Sequence, residues 1–174
     1  MQKYRQKQQE FEQIGPAVEQ QFHIKIAGDG RWFHEGDEIQ RKSLVKLFST
    51  VLKRDSDGVF WLETPVEKGR IEVEDAPFIA TALTVDWADG VTPDTHPALC
   101  FTTNVDDHVV LDAAHPLQML PSPDGSVLQP YIEVRHGLLA KLSRPVYYEL
   151  AKRAVADDDG RIGVWSHDHF FILE

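Results

Sequence analysis

Ile24 and Ile26 alternate with polar neighbours, Gly28-Asp29-Gly30 supplies a turn, and Trp32-Phe33 resumes the extended pattern, which predicts a hairpin. The period then changes. Leu44, Leu47, Phe48, Val51 and Leu52 fall at helical spacing, one apolar stripe turned to a core, with Lys42, Lys46, Lys53 and Arg54 elsewhere around the helix. Asp55-Ser56-Asp57-Gly58 stops it, the glycine suiting a left-handed turn position. Strand-like runs follow over Val59–Glu63, Gly69–Val73, Phe78–Trp87, Ala98–Thr103 and His108–Leu111, separated by turns such as Asp89-Gly90 and Thr92-Pro93-Asp94. Pro116–Pro130 is rich in Pro, Ser and Gly and reads mostly as loop, with a turn at Pro123-Asp124-Gly125. Tyr131–Val134 returns to strand. Ser143 stands as the N-cap of a second helix, with Pro145 tolerated in its first turn, and the chain closes on strands Arg161–Trp165 and Phe170–Leu173.

The two helical segments carry a repeat. Ile39-Gln40-Arg41 meets Leu142-Ser143-Arg144 at a shift of 103 residues, which also lays the first apolar stripe on Tyr147, Leu150, Ala151, Ala154 and Val155. One residue less brings Asp57-Gly58 onto Asp159-Gly160, each followed by an aromatic strand. The expected fold is α+β, built from two structurally related repeats sharing an interface. The expected division is a polar, Gln-rich helix or tail over residues 1–22, a first repeat over 23–87 and a second over 88–174.

Length and composition narrow the function classes. A chain of 174 residues with 42% hydrophobic content buries a proper core. No apolar run approaches the roughly 18 residues of a membrane span, and the polar start Met1–Glu10 lacks the core of a signal peptide, so a cytoplasmic location is expected. Cys100 is the single cysteine and sits in an apolar run, as an inert thiol would. The formal net charge of −10 opposes any broad nucleic-acid surface, while leaving room for a local basic pocket because charges beyond roughly 8 Å are screened. No nucleophile elbow, phosphate-binding glycine loop or dinucleotide fingerprint is present. His167 and His169 flank Asp168, but no convergent third ligand or HExxH pair accompanies them, so neither a metal site nor a cofactor is expected.

The densest charged segment is Glu67-Lys68-Gly69-Arg70-Ile71-Glu72-Val73-Glu74-Asp75. With Ile71 and Val73 facing a core, Lys68, Arg70, Glu72 and Glu74 project together on the other face, with Lys68 and Arg70 as the donors. They suit an anion, Arg by its planar fork and Lys as a compact charge. A solvated face of mutually neutralising charges fits the same pattern. Arg41 and Arg144 stand at the starts of their helices, where a cation opposes the helix dipole; each either grips an anion or ties its helix to an acidic turn. Arg135, Tyr148 and Glu67 complete the candidate ligand-binding set, Glu67 as a carboxylate within the charged segment.

Long stretches of the chain resemble a bacterial family, the domain of unknown function 1285. They include Asp29–His34, Asp57–Leu62, Thr64–Lys68 and Val73–Phe78, then His115-Pro116-Leu117, Tyr131–Leu138, Leu142–Leu150 and Gly163–Ser166. The match runs from His23 onward and departs at Ser166-His167-Asp168-His169, where a simpler turn is expected. The resemblance implies a duplicated α+β core whose second half is superficially pleckstrin-homology-like, a nucleotide-related ligand where the repeats meet, and a role in signal transduction. The resulting expectation is a regulatory or ligand-binding module for a small anionic ligand held by Lys68, Arg70, Arg135 and Arg144. Two other classes fit the same residues: an enzyme acting on a phosphorylated or nucleotide-like small molecule, and a protein-interaction module with no small ligand.

Overall fold

The structure, a computed structural model, describes residues 18–87 and 96–173. The polar segment 1–12 and the turns at Asp89-Gly90 and Thr92-Pro93-Asp94 lie outside the described residues. Two compact units divide the chain. The first takes residues up to Ile26 and Trp32–Glu72; the second takes Ala27–Arg31 and everything from Val73.

The first unit opens with β1 (Val18–Ile26), β2 (Trp32–His34) and β3 (Asp37–Glu38), then helix α1 (Lys42–Thr50), then β4 (Leu52–Arg54), β5 (Phe60–Glu63) and β6 (Glu67–Val73). The strands form one six-stranded sheet in the order β3-β2-β1-β6-β5-β4. Its core is Ile24, Ile26, Trp32, Leu52, Leu62 and Ile71, all buried, with Phe48 stacked on Trp32 at 6.2 Å between ring centres. The alternation expected in β6 holds over Gly69–Glu72, where Gly69 and Ile71 are buried while Arg70 and Glu72 are exposed.

The second unit contains β7 (Phe78–Asp86), β8 (Ala98–Thr103), β9 (His108–Val110), β10 (Leu117–Pro121), β11 (Leu128–Arg135), β12 (Leu138–Leu142), helix α2 (Arg144–Ala151), β13 (Val155–Ala156), β14 (Ile162–Ser166) and β15 (His169–Ile172). Six strands form a sheet in the order β10-β11-β12-β7-β8-β9, and β13-β14-β15 form a smaller one. Among the described strands of this unit every pairing is antiparallel except β12 with β7, where Ala140, Lys141 and Leu142 lie beside Phe78, Ile79 and Ala80. Helix α2 buries Val146 and Leu150.

The fold is α+β with a duplicated core, and the duplication is visible in the hydrogen bonds. After α1, Asp55 Oδ1 accepts the amides of Asp57 and Val59, and its main chain bonds Val59 and Gly58. After α2, Asp157 Oδ1 accepts the amides of Asp159 and Arg161, and its main chain bonds Arg161 and Gly160. Gly58 and Gly160 share the same left-handed backbone, φ 83° and 80°. The separation from Lys42 to Arg144 equals that from Asp55 to Asp157, one constant shift of 102 residues. The shift of 103 at the helix starts is therefore corrected: Arg41 corresponds to Ser143, both in N-cap position, and not to Arg144. The copies differ in their surroundings, since β4 and β5 join the large first sheet while β13 and β14 pair only within the small third one.

Three further expectations change. The segment 116–130 contains a strand, β10, because Leu117–Pro121 finds a full antiparallel partner in Leu128–Ile132. Both helices end earlier than the apolar stripe implies: Val51 is the C-cap of α1 and Leu52 begins β4. The one fully buried residue of α1 is Ser49, whose hydroxyl donates to Lys46 O at 2.7 Å, while Leu47 is 60% exposed. Ser143 has the extended backbone of an N-cap, but its side chain makes no capping bond.

Gly69 in β6 is a close-approach position: a Cβ there would lie 2.0–2.2 Å from the Phe22 ring. Gly69→Ala is expected to cost about 1–3 kcal/mol, as overpacking of a filled site does. The check is the urea midpoint at constant m-value; an unchanged midpoint would mean that the ring moves aside without penalty.

Candidate functional site

The most heavily engaged polar cluster of the second unit is built on β12. Its alternation buries Leu138, Ala140 and Leu142 and turns Lys141 to the opposite face. Across the ladder Lys141 faces Tyr131 on β11, and on its other side it lies beside Ile79 of β7. The Lys141 ammonium donates to Asp75 Oδ2 at 2.5 Å and to the Gly28 carbonyl at 2.9 Å. The Tyr131 hydroxyl donates to Asp75 Oδ1 at 2.7 Å, so both oxygens of that carboxylate are engaged. The Asp75 side chain is only 8% exposed. Burial, then the hydrogen bond to Asp75 and its negative charge, push the Tyr131 phenol well above its usual range, so it stays protonated and donating.

The turn Ala27–Arg31 is held on the same unit by side chains. Glu74 accepts the Gly28 amide at 2.8 Å, and Asn104 donates to the Gly30 carbonyl at 3.2 Å while accepting the Ile79 amide at 3.0 Å. Opposite stands the loop between β10 and β11. Asp124 Oδ1 accepts the Ser122 hydroxyl and both the amide and the hydroxyl of Ser126, which closes the loop on itself. These donors, the Ser122 hydroxyl foremost, hold the Asp124 carboxyl down at about 2. Between turn and loop lies an open cavity of about 560 Å³, walled by Gly28, Glu74, Asp75, Asp124, Val127 and Lys141 among others. That volume is within the range of small-ligand pockets.

The residues singled out from sequence lie elsewhere. In the first unit, Lys68 pairs with Glu19 at 3.1 Å and sits 4.3 Å over the Trp61 ring. Arg70, Glu67 and Arg41 are exposed there. In the second unit, Arg135 pairs with Asp107 at 2.6 Å and covers the Phe78 ring at 5.1 Å. Arg144 and Tyr148 share the exposed face of α2, one turn apart. Arg135 and Arg144 flank opposite ends of the five-residue β12, about 13 Å of strand. None of the seven lines the cavity. Among the described residues no three His, Cys, Asp or Glu side chains come together as a metal-holding group. His167 lies in the tight turn before β15, with φ 50°, so it and His169 do not share a strand. Cys100 is half-buried, and burial, reinforced by Asp86, raises its thiol.

Of the cavity residues, Lys141 and the Gly28 carbonyl escape sequence reading, because their meeting depends on strand order. The available signal was local: a lysine alternating with Leu138, Ala140 and Leu142 marks a half-buried strand with one cation on its other face.

The depressed Asp124 value fixes a pH dependence. Its folded pKa lies below the ordinary 3.8, so the loop's stabilisation is fully present above 3.8 and is lost as pH falls through about 2. Ser122→Ala is expected to move the Asp124 midpoint up towards 3.8 in an NMR carboxyl titration; an unmoved midpoint would remove the hydroxyl as the cause.

The comparisons with known proteins agree with one another. A family model described as "Domain of unknown function (DUF1285), N-terminal domain" matches residues 11–76, and one described as "Protein of unknown function (DUF1285), C-terminal domain" matches residues 77–173. A crystal structure of a DUF1285 family protein from Silicibacter pomeroyi DSS-3 is 38% identical, covers 91% of this chain and 83% of its own, and superposes with a TM-score of 0.80. One from Shewanella baltica OS155 is 27% identical, covers 75% of this chain and 91% of its own, with a TM-score of 0.56. No curated protein matches. No described helix is long and apolar enough to cross a membrane. With both family models spanning nearly the whole length, the chain belongs to the DUF1285 family.

Proposed function

We propose that this protein is a ligand-binding module of regulatory rather than catalytic character, and that its ligand occupies the cavity between the Ala27–Arg31 turn and the Ser122–Val127 loop. The observation that carries this is the closed network beneath it. Asp75, Lys141, Tyr131 and the Gly28 carbonyl satisfy one another, with Asp75 nearly buried. Such a network supports a rigid, preformed wall. Its polar groups are engaged with one another, an arrangement that suits holding a ligand in place. A regulatory role agrees with that chemistry, since a binding module needs only a shaped recess and directional polar groups.

In this cavity the cation facing an anionic ligand of the kind expected from sequence is Lys141, in the more acidic of the two units. By sequence the first unit holds eleven Lys and Arg against eleven Asp and Glu, whereas the second holds seven against seventeen. The whole net charge of −10 therefore resides in the unit that contains the cavity.

The test is a thermal-shift screen of polar small molecules, repeated on Val127→Trp. Val127 is 55% exposed at the cavity wall, so the unliganded variant should melt as the wild type does. Any compound that raises the wild-type midpoint should lose at least about tenfold in affinity, or roughly 1.4 kcal/mol, in the variant. Hits that bind both proteins equally would place the ligand elsewhere and overturn the reading.

A further inference from the structure

We infer that the open edge of β15 is an interface on which a second copy of this chain docks, strand against strand, about a two-fold axis at Phe171. This surface is separate from the cavity and shares none of its lining residues. The repeat points to it. The shift of 102 residues carries β4, β5 and β6 onto β13, β14 and β15 in the same register. Lys53 opposite Trp61 becomes Val155 opposite Gly163, and Trp61 opposite Arg70 becomes Gly163 opposite Ile172. The two copies part at the next strand. In the first unit the far edge of β6 is paired with β1, whereas among the described residues β15 ends its sheet.

The bare edge is also the apolar one. Where β6 carries Lys68 and Arg70, β15 carries Phe170 and Ile172, and Ile172 is 39% exposed. A strand edge left in water is ordinarily guarded by charge, by Pro or by very short length, because its unpaired main-chain groups invite another chain. The other sheet edges have such guards. β3 and β13 are two residues long and β9 three, β4 carries Lys53 and Arg54, and β10 ends in Pro121. β15 is His169-Phe170-Phe171-Ile172, with no Lys, Arg, Asp, Glu or Pro.

The edge is complementary to itself, which selects a second copy as its occupant. Leu173 N donates to Ile162 O, so Leu173, Phe171 and His169 turn their main chain to β14 while Phe170 and Ile172 turn theirs outward. With the axis at Phe171, Phe170 lies opposite Ile172 of the partner subunit, and Ile172 lies opposite the partner's Phe170. Each pair exchanges two N–H···O bonds and sets an aromatic ring against an aliphatic side chain on the outer face. The combined sheet has six strands, as each of the other two sheets has. So short a strand pair falls in the class below roughly 1,200 Å² that associates weakly. The whole net charge lies in this unit, so like charge opposes docking at low salt and screening strengthens it.

The experiment is sedimentation velocity of the full chain from roughly 5 to 500 µM, at low and at physiological salt, with backbone amide exchange at both ends of that range. The expected result is a reversible monomer–dimer equilibrium that tightens as salt rises. The Phe170 and Ile172 amides should slow at the high concentration, more than the Phe171 amide already bonded within the sheet. Ile172→Lys restores a charged guard and is expected to weaken the dimer at least about tenfold. Should that variant unfold, the wild-type amide exchange decides. A chain that stays monomeric throughout overturns the inference. So does a dimer that Ile172→Lys leaves intact, or one in which the Phe170 and Ile172 amides exchange at the monomer's rate, since it then forms through another surface.

Discussion

A nearly buried carboxylate paired with a half-buried ammonium sets the terms for the second unit. Asp75 and Lys141 are costly to bury, and that cost is offset only if every remaining lone pair and proton finds a partner. The partners come from distant places in the chain: the Tyr131 hydroxyl from β11 and the Gly28 carbonyl from the β1–β2 turn. Their requirement for one another fixes the register of β12 against both neighbours. A slip of one residue would turn Lys141 into the apolar layer that holds Leu138, Ala140 and Leu142. The cavity is the by-product of this constraint, since the turn and the Ser122–Val127 loop stand on either side of a pair that cannot move.

Local chemistry was readable in the sequence wherever it was self-contained. The Asp-x-Asp-Gly turns are closed by their own carboxylates within four residues, so they announce themselves and even reveal the repeat. The face alternation of β6 and the ends of β8 follow from the side-chain period alone. What escaped was decided by partners. Leu117–Pro121 becomes strand only because β11 lies alongside, and its Pro, Ser and Gly surroundings disguise it. The arginines drew attention by number and position, yet Arg135 pairs with Asp107, and Arg41 and Arg144 are not equivalent positions in the two copies. The meeting of Lys141 with Gly28 joins residues 113 apart in sequence, and no periodicity reports such a contact.

The repeat also shows how one local design serves two environments. Asp55 Oδ2 accepts the Trp61 indole N–H at 2.8 Å, whereas Asp157 Oδ2 takes the Arg161 guanidinium at 2.7 Å. The main-chain half of each turn is constant and the side-chain half is adapted. The first copy can therefore join a large sheet with an aromatic layer, and the second can sit in a small sheet and be solvated on its outer side.

The packing of α1 has a consequence for the order in which the fold loosens. Its only fully buried side chain is a serine that bonds to its own helix, while α2 anchors itself with Val146 and Leu150. Its apolar residues Leu44, Val45 and Phe48 are only half-buried, so its amides are expected to exchange with solvent deuterium before those of α2. The two copies of the repeat thus seat their helices differently, the first through half-buried apolar side chains and the second through two buried ones.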